Sequence, residues 1–196
     1  SVFRSPGDVF EYFLFTLLMP FIVVAYDKLL MSITVNEAGT NMIAGSHVMV
    51  VAIMALLSSL VSASTISRDG GNFYISKIVP VNYYLQIFAK LVFNVIFTGA
   101  ALLVTMIISF TMYPAWQIIL GTLAILFTSI GHIALSIDMD IKDPTVNMQG
   151  NEDAAKLGKN TVKSILYALL FGVLLGLVVI LMAYCKIVYL SYLIIL

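Results

Sequence analysis

Apolar stretches long enough to cross a bilayer alternate along this chain with short polar ones. A spanning helix needs roughly 20 predominantly apolar residues. Ser5 reads as a helix N-cap, with Pro6 at the first helical position and Asp8 in the electropositive first turn. The first span then covers residues 9–33, with a kink expected at Pro20 and an interfacial aromatic group in Phe10, Tyr12 and Phe13. A polar loop carrying Glu37, Gly39 and Asn41 is predicted over 34–45, and a second span over 46–66. After Lys90 the chain has no charge until Asp138, a run of 47 residues (91–137). At about 1.5 Å per residue that is roughly 70 Å, two bilayer thicknesses, so the run folds back on itself. Tyr113-Pro114-Ala115-Trp116 is the turn, placing spans at 84–112 and 116–137. A hydrophilic loop follows over 138–163, with a short helix expected at 151–159, acidic first and basic last. The fifth span is 164–185, and 187–196 supplies half of a sixth. The expected fold class is an all-α integral membrane protein: a polytopic helical bundle of five complete transmembrane helices plus a truncated sixth.

Composition agrees. The chain is 61% hydrophobic and 10% charged, with mean hydropathy +1.06, against about 25% charge in soluble domains. Formal net charge is zero, which says nothing about nucleic acid, and the sequence presents no basic face to argue from. The lone Cys185 has no internal disulfide partner and no C-x-x-C neighbour. Asp8 and Glu11 around the first apolar run, without a small-residue cleavage site, do not fit a secretory leader. The absence of an initiating Met and an end inside an apolar run lead us to expect a piece of a longer protein. Lys and Arg fix the expected orientation. Arg4, Arg68, Lys77, Lys90, Lys142, Lys156, Lys159 and Lys163 fall on one side, and Lys28 and Lys186 on the other. The N-terminus and the loops at 67–80 and 138–163 are therefore expected in the cytoplasm, in a plasma membrane.

The segment from Ile66 to Pro80 is polar and punctuated. Arg68 and Asp69 end the second span, and Gly70-Gly71 breaks the helix. Ile75, Ile78 and Val79 fall at i, i+3 and i+4, with Tyr74 four before Ile78. Pro80 stops the turn. This is a short amphipathic helix outside the membrane, suited to docking a partner.

The second span is rich in small polar residues. Ala55, Ser59 and Ala63 recur every fourth residue, as do Ser58 and Ser62, and span five carries Gly172-x-x-x-Gly176. Such spacings let helices approach closely. A second reading also stands: Ser58, Ser62 and Thr65, with His132 of span four, form a polar wall of a transport path. Few ionisable groups sit inside the spans. Glu11 lies near the inner interface. Asp27 and Lys28, near the end of span one, are expected to pair with each other or to reach water. His132 is expected to be the one titratable group well inside a span, with Ser129 and Ser136 nearby, hydrogen-bonded to a neighbouring helix. The sequence G-x-x-x-x-G-K-[ST] does not occur, since Gly158-Lys159-Asn160 lacks both the first Gly and the Ser/Thr. Asp138, Asp140 and Asp143 do not form an EF-hand, whose sixth and twelfth positions would be Asp143 and Gln149 here. No metal site, resident cofactor or catalytic set is expected.

On the stretch Ile66-Ser67-Arg68-Asp69-Gly70-Gly71-Asn72-Phe73-Tyr74-Ile75-Ser76-Lys77-Ile78-Val79-Pro80, followed by Lys90, the chain resembles permease subunits of ABC-2-type ABC transporters, the type V exporter fold. In that family a similar segment between spans two and three is the cytoplasmic coupling helix, with Glu more common where Asp69 stands. Phe3-Arg4-Ser5-Pro6, and the 140–160 loop with Asp143-Pro144, Asn151-Glu152 and Lys156, are similar to large bacterial members carrying two six-span halves. The short re-entrant helices common before span six have no counterpart in Tyr184-Cys185-Lys186. The resemblance implies an exporter without its own catalytic site, driven by a separate ATP-binding subunit that holds ATP and Mg, and paired with a second six-span unit. Phe73, Tyr74, Ile75 and Ile78 would dock in a groove of that ATPase, with Arg68, Asp69 and Lys77 fixing register. The alternatives are a Mg-dependent lipid-modifying enzyme acting at Asp138, Asp140 and Asp143, an ion-coupled transporter using His132, and a structural membrane subunit.

Overall fold

The computed structural model describes residues 6–33, 37–67, 82–144 and 158–184. Within them the chain forms α1 (Pro6–Ile33), α2 (Glu37–Ser58), a 3-10 helix (Leu60–Ser64), α3 (Tyr83–Ser109), α4 (Ala115–Lys142) and α5 (Lys159–Tyr184). There is no strand among the described residues. All five α-helices are long and apolar enough to cross a membrane. The truncated sixth span, the 151–157 part of the short helix and Ser5 lie outside the described residues.

Helix α2 is the axis of the bundle. Of its most apolar stretch 56% is buried, against 17% to 39% for the other four helices. It touches α1, α3, α4 and α5, most extensively α5. The reason is in the small residues. A Cβ on Gly172 would come 2.5 Å from Ile53 Cγ1 and 3.1 Å from the Ile53 Cα. One on Gly176 would collide with the Met49 side chain and lie 3.0 Å from its Cα. From the α2 side, a Cβ on Gly45 would meet the Ile180 backbone nitrogen at 3.0 Å. The two helices thus approach nearly backbone to backbone, where dispersion contacts are densest. Met19 and Val23 of α1, Val48, Ala52 and Ala55 of α2, Leu102 of α3 and Ile125 of α4 complete a shared core. The outward faces carry large exposed apolar side chains such as Phe21, Phe88, Ile107 and Leu166, as a lipid-facing surface requires.

Several boundaries differ from expectation. The polar stretch 34–45 is not a loop throughout, because α2 already begins at Glu37. An acidic residue in a helix's first turn is favoured by the dipole, and the Gly and Asn that follow are tolerated when the next turns are buried. At its other end α2 does not remain α-helical to Ile66. The hydroxyls of Ser58, Ser59 and Ser62 bond the carbonyls of Ala55, Leu56 and Ser59 at 2.6–2.7 Å. Hydroxyls that compete for the backbone acceptors loosen the α ladder, and the chain tightens into the 3-10 turn. Residues 138–142 are also not loop: α4 runs on to Lys142, with an i,i+4 pair between Lys142 and Asp138 at 2.6 Å. Helix α5 starts at Lys159 rather than 164, its first turn tied to the end of α4 by Asn160 Nδ2 on the Asp143 carbonyl at 2.8 Å. Elsewhere the fit is close. Helix α1 begins at Pro6 and continues through Pro20. The turn between α3 and α4 spans residues 110–114.

Gly176→Val should lower stability by about 2 kcal/mol or more, as overpacking a tight contact does. Gly131→Ala should be neutral or stabilising by up to about 1 kcal/mol, since nothing lies within 4 Å of its Cβ position. Denaturant unfolding in mild detergent compares the two.

Candidate functional site

The bundle has a polar seam along its interior, with a buried carboxylate at each end. The helices alternate in direction, so Thr65, Lys90, Asp140 and Ser164 sit at one end. Asp27, His47, Tyr113 and Gln117 sit at the other.

At the first end the chain leaves the 3-10 helix through residues 65–67. Lys90 Nζ of α3 donates to the Thr65 carbonyl at 3.1 Å. Asp140 of α4 is fully buried. Its Oδ2 accepts from the backbone N–H of Ile66 at 2.6 Å and of Ser67 at 3.0 Å, and its Oδ1 accepts from the Ser67 hydroxyl. Burying a carboxylate costs several kcal/mol unless hydrogen bonds replace its water. Here three donors do so, and bonds to a charged acceptor are about twice as strong as neutral ones. Asp140 is therefore a fastener that holds the exit of the 3-10 helix to α4. Its neighbours have other partners: Asp138 pairs with Lys142, and Asp143 with Lys159 at 3.3 Å, both on the surface. The carboxylates put forward for lipid chemistry are thus committed to separate contacts. No metal-holding group of His, Cys, Asp and Glu occurs among the described residues.

In the middle of the seam His132 bridges three elements, as expected of a histidine bonded to its neighbours. Its Nδ1 lies 2.9 Å from Ser59 Oγ beyond α2, and its Nε2 lies 3.1 Å from the Ser164 carbonyl and 3.2 Å from Ser164 Oγ on α5. Ser136 and Ser164 hydroxyls meet at 2.8 Å. Ser58 is buried and lies 3.2 Å from Thr98 of α3. Ser62 is fully buried, and Thr65 returns its hydroxyl to the Val61 carbonyl at 2.8 Å. Ser58, Ser62 and His132 therefore lie inside one bundle rather than against lipid. Each hydroxyl of Ser58, Ser62 and Thr65 is already bonded to its own chain.

The second end corrects two expectations. His132 is not the one titratable group inside a span: His47 of α2 is also buried, at 6% exposure. Asp27, 1% exposed, does not pair with Lys28 or reach water. Its Oδ2 lies 2.8 Å from His47 Nδ1, and its Oδ1 accepts from the Tyr113 hydroxyl at 3.1 Å. Lys28 is exposed. The rings of His47 and Tyr113 lie 4.6 Å apart between centroids. Because α2 begins at Glu37 rather than at residue 46, His47 lies well inside the helix and not in its first turn. One signal was available: Met19, Val23 and Asp27 recur every fourth residue, and all three are buried on one face of α1. Next to His47 is a small, partly open cleft between α2, α3 and α4. Ser58, Ser62, Thr65 and His132 do not line it.

The proposed docking residues Arg68, Asp69, Phe73, Tyr74, Ile75, Lys77 and Ile78 lie outside the described residues, directly after the chain fastened by Asp140.

Asp140→Ala leaves two backbone N–H groups without their acceptor and should cost about 2–5 kcal/mol. Asp138→Ala and Asp143→Ala each remove a surface pair and should cost under about 1 kcal/mol. Thermal unfolding of the three variants in the same detergent checks the ranking.

No protein-family model, curated protein or solved structure matches this chain.

Proposed function

We propose that this chain is the membrane-spanning permease subunit of an ATP-driven exporter of the ABC-2 type. Its N-terminus and the Asp140 end of the bundle face the cytoplasm of a bacterial-type plasma membrane, and residues 187–196 begin a sixth span. ATP and Mg bind on a separate ATPase subunit, and a second six-span unit completes the transport path. The observation that carries this reading is the fastening of residues 65–67 by Lys90 and Asp140, immediately before the stretch that resembles the family's coupling helix. A helix that receives force from a partner must pass it to the spans. Here its root is held to α3 by an ammonium and to α4 by a carboxylate, so displacement of that root pulls on two spans at once. The buried Ser58, Ser62 and His132 would then lie along surfaces that change partners as the spans move.

The test is purification of the complete protein from native membranes under gentle detergent, with identification of what accompanies it. An ATPase bearing a phosphate-binding loop is expected. Phe73→Asp/Ile78→Asp, inserted to the same level, should abolish its recovery, since an unpaired charge in an apolar groove costs several kcal/mol, enough to dissociate a micromolar partner. Recovery of the wild-type chain with no ATPase would remove the reading.

A further inference from the structure

We infer that the contact of Asp27, His47 and Tyr113 is a proton-binding site, filled and emptied through the cleft beside His47. No ATPase partner is needed for it. Ionisable groups inside a membrane bundle commonly mark proton or ion pathways. Two of them meet here from different helices, Asp27 at 1% and His47 at 6% exposure. Asp27 Oδ2 and His47 Nδ1 are 2.8 Å apart. Two lone pairs do not meet at that distance, so one proton lies between them, whichever partner owns it. The other carboxyl oxygen accepts from the Tyr113 hydroxyl at 3.1 Å. One titratable position of the pair is left: the ring's Nε2, which bonds no described residue. With Nδ1 turned to α1, the rest of the ring meets the cleft, to which α1 contributes no lining residue. Thr105, Ser109, Tyr113 and Gln117 give the cleft a polar wall, and it has room for about one water. It is thus suited to hand over a proton and to exclude a hydrated ion or an organic ligand. A hydronium there gives its proton to the Nε2 lone pair and remains as water, and the reverse step empties the site.

Filling Nε2 changes the charge of the cluster by one unit, where almost no solvent screens it. Among the described residues no further ionisable group faces the pair from the elements packed on α2. The α3 and α4 walls of the cleft supply Thr105, Ser109 and Gln117, and α5 meets α2 through Gly172, Gly176 and Ile180. Tyr26 and Lys28, adjacent to Asp27 in sequence, lie on other faces of α1. The proton is therefore the variable charge at the joint of α1, α2 and the turn at 110–114. When Nε2 is full the pair is an imidazolium and a carboxylate, and when it is empty the pair has one proton fewer. A hydrogen bond between two ions is the stronger, so the joint is firmer full than empty. The outer end of the bundle then responds to pH.

The chain has two histidines, His47 and His132, and a single Trp, Trp116, close to Tyr113 in sequence, which makes the test direct. The full chain is labelled with ¹⁵N-histidine, placed in phosphatidylcholine nanodiscs and titrated from about pH 8 to 5, the range in which histidines change charge. The His47 ring should pass in one step from one protonated nitrogen to two, and Trp116 emission should shift with the same midpoint. His132, bonded at both nitrogens, serves as the control for the fold. Asp27→Asn should weaken proton binding roughly tenfold or more and move the Trp116 curve with it. Thr105→Ile, which narrows the cleft and leaves the Asp27–His47 pair intact, should slow exchange of the Nε2 proton with water several-fold without changing its affinity. A His47 ring in one protonation state over the whole range, or Trp116 emission indifferent to its titration, would each overturn the inference. So would undiminished proton affinity in Asp27→Asn, or exchange as fast in Thr105→Ile as in the wild type.

Discussion

The burial of α2 is the constraint on which the rest of this structure depends. In lipid there is no hydrophobic force to drive one apolar helix against another, so association rests on close packing and on polar groups satisfied within the protein. Gly172 and Gly176 of α5 and Gly45 of α2 allow the first. Once α2 is enclosed by four helices, its serines have no water to turn to, and their hydrogen bonds must be found in neighbours or in its own backbone. The self-bonded hydroxyls of Ser58, Ser59 and Ser62, and the turn from α to 3-10 geometry that follows them, are consequences of that enclosure.

The same constraint explains the two buried carboxylates. Each belongs to a neighbouring helix and grips one end of the α2 segment. Asp27 of α1 holds His47 in its first half, and Asp140 of α4 holds the amides of Ile66 and Ser67 past the 3-10 helix that follows it. A central segment pinned at both ends by carboxyl groups of different partners is positioned along its axis more firmly than apolar contacts alone allow. In the permease reading this matters, because α2 leads directly into the stretch that would meet the ATPase. The fastener at Asp140 would then set how movement of that stretch divides between α2, α3 and α4.

Periodicity made the number of spans legible, and the Gly172-x-x-x-Gly176 spacing announced the closest helix pair. Pro6 marked the start of α1, and Tyr113-Pro114 the reversal between α3 and α4. Local signals failed where long-range partners decide. Glu37, Gly39 and Asn41 look like a loop when only their polarity is read, yet α2 begins there because its following turns are buried. Asp140 looked like one of three solvated acids. Its exceptional role comes from backbone amides 73 and 74 positions away, which no spacing along α4 encodes. Asp27 had a cation beside it in sequence, but adjacent residues on a helix point in different directions. Its partners come from α2 and from the turn after α3.

The account's central claim is that the exit of the 3-10 helix that follows α2 is held by Asp140. Amide hydrogen exchange of Ile66 and Ser67, resolved by NMR in nanodiscs, measures this at the atoms concerned. If the claim is right, these two amides are protected in the wild type and exchange roughly 100-fold faster in Asp140→Asn, equivalent to about 2.7 kcal/mol, while amides in the middle of α2 keep their rates. Equal exchange at Ile66 and Ser67 in both proteins would contradict it.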